Sequence, residues 1–389
     1  KETWKLINKI LYRGSKAESL PEYMNVSGTQ INSQQEIVDA LNEHFATIGV
    51  KLSDQIGSPN ESYTNYLTEN IPHRFTFQSV DTNDVKQAIK DLLPKVSTGR
   101  DGISTKMLKQ IRNEISEPLK IVINQTFQTG IFPAQLKTAR VKALFKKGNT
   151  HDPNNYRPIS LLPAISKVFE KIMLKQLRNY FTLHSLLFKS QYGFRNRHST
   201  ELATLELLDR VITAMDENKI PFNIFIDLSK AFDCLNHRIL LHKLHYYGIR
   251  DTSLLLLQNY LSERTQFVAH DNIKSNIAEI TTGVPQGSIL GPFLFLVYMN
   301  DFSKSSNKLN MINYADDTTL ISTVNSFISS EEITEELDKI NRWIRANKLT
   351  INVGKTKAMF FHTKHKRINR PDIYLNDALI ETVDEFNYL

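Results

Sequence analysis

Cysteine is nearly missing: Cys234 is the only one among 389 residues. That excludes a disulfide framework and any cysteine-based zinc site, and it suits a reducing, intracellular setting. Long apolar runs are missing too. A membrane span needs about 20 such residues, whereas the stretch from Pro292 to Met299 is short and sits beside polar residues. There is no signal-peptide pattern, no internal repeat and no low-complexity tract. The chain starts at Lys1 rather than at a methionine and stops at Leu389 within strand-like text, so it reads as a piece of a longer polypeptide. What is present is the composition of a folded protein, 41% hydrophobic and 23% charged, enough for a large core in two or three lobes. The net charge of +7 suits a polyanionic partner without requiring one.

Residues 1–95 read as helices and loops, a helical extension whose plain role is packing or docking. Ser33-Gln34-Gln35-Glu36 has the form of a capping box, with Ile37, Leu41, Phe45 and Ile48 recurring behind it at helical spacing. The polar stretch from Ser53 to Asn70 reads as a linker, and a helix from about Asp84 ends before Pro94. From Ser97 the text changes to a turn-rich loop and then a basic, alternating segment, Lys137 to Lys147. Two helices follow, one with a stripe of Ile165, Val168, Phe169, Ile172, Leu177 and Phe181. The other carries Leu202, Leu205, Val211, Ile212 and Met215. Gln266 to Ile280 reads as a hairpin around Asp271-Asn272, and Met311 to Val324 as a second hairpin. Ser329-Ser330-Glu331-Glu332 caps a helix buried through Ile333, Leu337, Ile340 and Ile344, and Leu349 to Phe361 reads as strand-turn-strand.

Tyr314-Ala315-Asp316-Asp317 places two carboxylates between short apolar runs, and Asp227 ends another strand-like run, Phe222 to Ile226. Carboxylates delivered from two strand ends are what a pair of Mg²⁺ ions needs to hold a triphosphate. Taken alone, Asp316-Asp317 is equally a hairpin turn, because aspartate suits turns. Phe232, five residues after Asp227, would lie under a nucleotide sugar and leave no room for a 2′-hydroxyl; the plain alternative is a core phenylalanine. Gly283-Val284-Pro285-Gln286-Gly287 sets an amide between glycines, where backbone can approach a ligand and Gln286 can touch a sugar hydroxyl or a base edge. Arg157, with Lys146 and Lys147 just before it, would clamp phosphates, and Lys355 could protonate departing pyrophosphate. His237, His242 and His245 share a helix but lack an acidic or cysteine partner for zinc. Cys234 lacks a base, and Lys364-His365-Lys366-Arg367 is a basic tip that needs no special role.

In order, Tyr156-Arg157-Pro158-Ile159-Ser160-Leu161-Leu162, Gln191-Tyr192-Gly193-Phe194-Arg195, Phe225-Ile226-Asp227-Leu228-Ser229-Lys230-Ala231-Phe232-Asp233, Gly283 to Pro292, Tyr314 to Asp317, Lys348 to Lys355 and Phe386 to Leu389 resemble reverse transcriptases of non-LTR retrotransposons of the jockey and CR1-like kind. The resemblance runs from about Ser97 to Leu389, more weakly from Ser33. It implies an α+β right-hand polymerase with fingers at 96–220 and a palm at 221–389, in which 240–282 belongs partly to the fingers. The antiparallel palm sheet would pack on helices, and the thumb would follow the end of the chain. It implies Asp227, Asp316 and Asp317 as catalytic carboxylates, with the Leu228 carbonyl as a further metal ligand. Phe232 would be the sugar gate, Gln286 a nucleotide contact, and Arg157 with a fingers lysine the phosphate clamp. Two Mg²⁺ ions, with Mn²⁺ as a substitute, an RNA template, a DNA primer and dNTPs follow from it. So do a neighbouring endonuclease and thumb in the longer polypeptide, a nuclear site of action and no membrane. The final Phe386-Asn387-Tyr388-Leu389 resembles the start of a primer-gripping hairpin. An RNA-dependent RNA polymerase shares the palm, and a non-catalytic RNA-binding protein could retain it; Phe232 argues against the first, and three intact carboxylates against the second.

Overall fold

Two five-stranded sheets decide where the chemistry-bearing residues end up. The computed structural model describes residues 20–324, 330–363 and 370–389. A hairpin of β1 (Met24–Val26) and β2 (Thr29–Ile31) precedes the long helix α1 (Gln34–Gln55). Helices α2 (Thr82–Lys90), α3 (Thr105–Gln110) and α4 (Arg112–Thr129) lead to β3 (Thr138–Phe145) and β4 (Tyr156–Leu161). Next come α5 (Ala164–Leu183), α6 (Thr200–Asp216) and β5 (Ile220–Ile226). Two helices, α7 (His237–Tyr246) and α8 (Asp251–Leu261), are followed by β6 (Arg264–His270), β7 (Ile273–Lys274) and β8 (Ala278–Ile280). Helix α9 (Gly291–Met299) runs into the hairpin of β9 (Asn310–Tyr314) and β10 (Asp317–Val324). After α10 (Ser330–Ala346) come β11 (Lys357–Phe360), β12 (Tyr374–Leu375), β13 (Ala378–Leu379) and β14 (Glu381–Thr382).

The first sheet has the order β14-β11-β5-β10-β9, with β5 antiparallel to both of its neighbours. The second runs β4-β3-β6-β7, with β8 also paired to β6. Beneath the first sheet lies α9, which is apolar on every side and, Pro292 apart, buried on every side, as such a helix must be. Helix α10 presents Ile333, Leu337, Ile340 and Ile344 to the same core, and Trp343 is fully buried there.

The N-terminal part departs from a purely helical extension in an informative way. Met24, Ile37, Val38, Leu41 and Phe45 join Val141, Tyr156 and Val268 in one cluster, so the β1–β2 hairpin and α1 complete the core of the second sheet. Ser33 stands at the N-cap of α1 with extended backbone, but its side chain makes no capping bond. The box that does form is Asp81 with Asp84 at the start of α2. Nor is 53–70 a free linker. The carbonyls of Ile56 and Gly57 accept from Arg345 and Lys348, and Glu61 pairs with Arg342. Its polar side chains and backbone are docking groups, which composition cannot distinguish from solvated ones. Helix α6 is rotated from the expected stripe. Ala203, Leu207, Val211 and Ala214 are buried, whereas Leu202, Leu205 and Ile212 are 42%, 60% and 55% exposed. The small alanines let the helix lie close to the sheet, and the larger residues turn outward. The cap at Ser329 and the basic tip at 364–367 lie outside the described residues. Phe386 is not in a strand; it stacks on Phe225 of β5 at 4.1 Å.

One buried polar knot ties α7, α9 and α10 together. Lys243 Nζ lies 2.5 Å from Asp301 Oδ1 and donates to the Tyr298 carbonyl at 2.5 Å, and Trp343 Nε1 donates to Asp301 Oδ2 at 2.9 Å. Both charged side chains are fully buried. Burial lowers the Lys243 pKa, and the neighbouring Asp301 carboxylate opposes that fall. Removing one partner leaves an uncompensated buried charge, which costs about 3–5 kcal/mol. Asp301→Ala is therefore expected to destabilise the chain by about that amount in urea unfolding. Lys243→Met combined with Asp301→Asn should recover more than half of the loss, because no charge then remains inside.

Candidate active site

Strands β5 and β10 lie side by side with Ile226 opposite Thr318. The next residue outward on each strand is a carboxylate: Asp227 leaves β5 where Asp317 enters β10. Asp317 also faces Tyr314 across the β9–β10 hairpin, so Ala315 and Asp316 form a two-residue turn at the same sheet end. The register thus brings together three side chains that are far apart in sequence. Their electrostatics agree with that placement. Burial raises the Asp316 pKa, with Asp227 adding to the rise while its own backbone hydrogen bond, Arg157 and Lys146 oppose it. Asp317 is pushed up to about 6, first by burial and then by Asp316 and Asp227.

The residues beside Asp227 are arranged by a short bridge. The Asp227 carbonyl accepts from Asn352 N at 2.8 Å and Ser229 N donates to the Thr350 carbonyl at 2.8 Å, flanking the pair Leu228–Ile351. In an antiparallel ladder, successive residues turn their backbone groups to opposite sides. Leu228 therefore turns its carbonyl away from Ile351, toward the side on which β10 begins. The same bridge fixes the turn that carries Lys355, whose Nζ lies 3.3 Å from Asp227 Oδ2. Lys146 has its pKa lowered by burial and by Arg157, Lys355 and Lys147, against an upward pull from Asp227. Lys146, Arg157 and Lys355 thus lie in the field of the carboxylates.

No three histidine, cysteine, aspartate or glutamate side chains converge into a ready metal cage among the described residues. Mg²⁺ does not require one: it is usually held by one or two carboxylates plus substrate phosphates. Three mutually repelling carboxylates, with an ammonium resting on one of them, are a donor set that fits divalent cations. Phe232 is half-buried and stacks on Phe295 at 4.4 Å, with Phe194 edge-on at 5.9 Å. Gln286 donates from Nε2 to Asp233 Oδ1 at 2.8 Å. His237 Nε2 donates to the Gly283 carbonyl at 2.7 Å, as a structural tie. Cys234 is buried and its thiol is pushed up to about 12, chiefly by burial, which makes it a poor nucleophile.

The family profile described as reverse transcriptase (RNA-dependent DNA polymerase) matches residues 145–389. The chain belongs to this family. Among curated relatives, it is 28% identical over 333 residues to the RNA-directed DNA polymerase from mobile element jockey of Drosophila melanogaster, covering 83% of this chain and 36% of that protein. It is 29% identical over 364 residues to the probable RNA-directed DNA polymerase from transposon BS of the same fly, covering 90% and 39%. It is 27% identical over 375 residues to the probable RNA-directed DNA polymerase from transposon X-element, also of Drosophila melanogaster, covering 93% and 40%. The chain therefore spans about two fifths of the length of these relatives. Reverse transcriptases generally use divalent metal ions. No described helix is long and apolar enough to cross a membrane.

Within this reverse transcriptase domain Gln191 is central, although neither its residue type nor its spacing assigns it a role. Gln191 is buried, and its Oε1 accepts from Ala315 N at 3.0 Å and Gly193 N at 2.9 Å. Ala315 has φ 58, a left-handed conformation that costs a non-glycine residue about 1–2 kcal/mol. The Gln191 clamp holds that turn. A Cβ on Gly193 would come within 2.2 Å of Ala315 N, so only glycine permits the approach. Arg195 donates to the carbonyls of Phe188, Lys189 and Gln191, bracing the same loop from within. The segment 191–195 was visible as a motif, but its partner lies more than a hundred residues away. Of the two adjacent lysines, the charge of Lys146 reaches Asp316 and Asp317, while that of Lys147 is felt at Lys146.

The Asp317 carboxyl rises from an ordinary 3.8 to about 6 on folding. Its stabilising contribution is present while it is protonated, below about pH 4, and is lost as pH rises through about 6. Crowding by its neighbours raises the Asp317 pKa, yet the residue keeps part of its surface in water, and that screening holds the effect under ~1 kcal/mol. Asp317→Asn should therefore raise the melting temperature by roughly 2 °C at pH 7.5 without divalent metal, and by little at pH 4.

Proposed function

We propose that this chain supplies the fingers and palm of an RNA-directed DNA polymerase that adds dNTPs to a primer 3′-hydroxyl on an RNA template, in the service of retrotransposition. The observation that carries the reading is the meeting of Asp227 with Asp316 and Asp317 at one sheet end, set by the β5–β10 register. The first sheet and its helices correspond to the palm. The second sheet, backed by α1, corresponds to the fingers, and β6 to β8 are the part of 240–282 that joins them.

In this reading Asp227, Asp316 and the Leu228 carbonyl are the metal ligands, and Asp317 is the third catalytic carboxylate. Two Mg²⁺ ions bound there, or Mn²⁺ in their place, supply charge to the attacking hydroxyl and the departing phosphates. Arg157 with Lys146 and Lys147 holds the triphosphate through charge-assisted bonds. Lys355 gives up Asp227 and donates a proton to pyrophosphate. Phe232, braced by Phe295, bars a 2′-hydroxyl, and Gln286 touches the incoming nucleotide. An endonuclease and a thumb elsewhere in the longer polypeptide, and a nuclear site of action, belong to the same reading. The RNA-polymerase alternative has no observation in its favour.

Asp316→Asn is expected to reduce dNTP incorporation to background in a Mg²⁺-dependent primer-extension assay, with primer–template affinity within about threefold of the parent, because phosphate contacts rather than this carboxylate carry that affinity. Incorporation at the parental rate would remove the metal-site assignment. Phe232→Ala should improve ribonucleotide use relative to dNTPs by about 10–100-fold, the scale on which a pocket discriminates a single small group. Unchanged selectivity would remove the gate role and reopen the RNA-polymerase reading.

A further inference from the structure

The aspartate that closes the 227–233 segment is not accounted for by metal binding, yet it is the side chain that holds Gln286. Asp233 Oδ1 accepts from Gln286 Nε2 at 2.8 Å. The Gln286 main chain is held as well, its carbonyl accepting from Ser160 N of β4 at 2.8 Å. With backbone and amide nitrogen both fixed, the amide oxygen is left on the side away from Asp233, since an ionised carboxylate can only accept.

Three hydrogen bonds, two of them between main chains, tie the turn to the loop. Val284 N donates to the Phe232 carbonyl at 3.1 Å, Gly283 N to the Leu235 carbonyl at 2.8 Å, and Thr282 Oγ1 to the Asp233 carbonyl at 3.2 Å. Gly283 has φ +79, and a Cβ there would meet the Asp233 carbonyl at 2.8 Å. Helix α1 presses on the same point from behind: a Cβ on Gly49 would stand 2.0 Å from the Asp233 carbonyl and 2.6 Å from Thr282 Oγ1. The residue carrying the sugar gate, the aspartate and the glutamine loop are therefore clamped between β4 and α1.

We infer that Asp233 is a positioning residue that orients the Gln286 amide for the incoming nucleoside triphosphate, and that Gly49 of α1 sets the position of both. The inference rests on the polymerase reading above and adds to it a determinant of nucleotide affinity lying outside the carboxylate cluster. Asp233 reaches the substrate only through Gln286, so its loss acts on nucleotide capture before it acts on chemistry. Gly49 brings in a helix that precedes the matched region 145–389.

The test is steady-state single-nucleotide extension, using the chain within a polypeptide of its relatives' length. Asp233→Ala should raise the dNTP KM about tenfold with kcat within threefold, and Asp233→Asn, which keeps an acceptor oxygen at the same reach, should recover most of that loss. Asp233→Ala added to Gln286→Ala should have no further effect on KM, an outcome a merely structural aspartate would not give. Gly49→Ala should raise KM in the same direction, with the melting temperature recorded to separate displacement from unfolding. A parental KM in Asp233→Ala, no recovery in Asp233→Asn, or independent effects in the double variant would each overturn the inference. Absence of any extension by the unsubstituted protein would instead overturn the polymerase reading.

Discussion

The pairing of β5 with β10 is the constraint on which the site depends, because side chains alternate along a strand and one residue of slippage would send every one of them to the other face. With Ile226 opposite Thr318, both strands end on carboxylates at one edge of the sheet. The apolar faces of the two strands enforce that register. Ile224 and Leu320 are buried beneath the sheet, while Phe225 and Ile321 pack against α6 on the other side. A slipped pairing would carry each set to the face shaped for the other and undo the packing of both. The hydrophobic core therefore holds three like charges together that would otherwise separate.

Around that edge, most restraints are backbone contacts delivered by residues chosen for their small size or hydrogen-bonding capacity. Gly193 and Gln191 hold the left-handed turn at Ala315, and the bridge between Leu228 and Ile351 brings Lys355 to Asp227. Gly49, Gly283 and Asp233 fix the turn beneath Gln286. Such contacts resist displacement more firmly than flexible side chains would, and they suit a site whose charged groups repel one another until cations and substrate arrive. The raised pKa values of Asp316 and Asp317 record their burial first and that repulsion second.

Periodicity and turn chemistry located many of the large elements: the stripe of α5, the buried face of α10, the hairpin around Asp271-Asn272 and the β9–β10 hairpin stand where the pattern puts them, whereas α3 and the 18-residue α4 are not anticipated by it. They were readable because each is governed by neighbours within a few residues. The errors share one cause. The buried face of α6, the docking of 53–70 and the missing cap bond at Ser33 all depend on what lies opposite in space. Alanines buried against a sheet look weaker than leucines facing water. A polar loop looks the same whether it is solvated or bonded to a helix.

The amino-acid sequence by itself determined the family resemblance, the order of the chemistry-bearing segments and the strand-end position of Asp227 and of Asp316-Asp317, since these are properties of residue type and local spacing. Only the tertiary structure decided that β5 and β10 are neighbours in this register. It alone decided that Gln191 clamps the aspartate turn, that Lys146 lies in the carboxylate field, and that α1 backs the turn carrying Phe232 and Asp233. Those facts are contacts between segments remote in the chain, and such contacts are chosen by the packing of the whole core rather than by any stretch of letters.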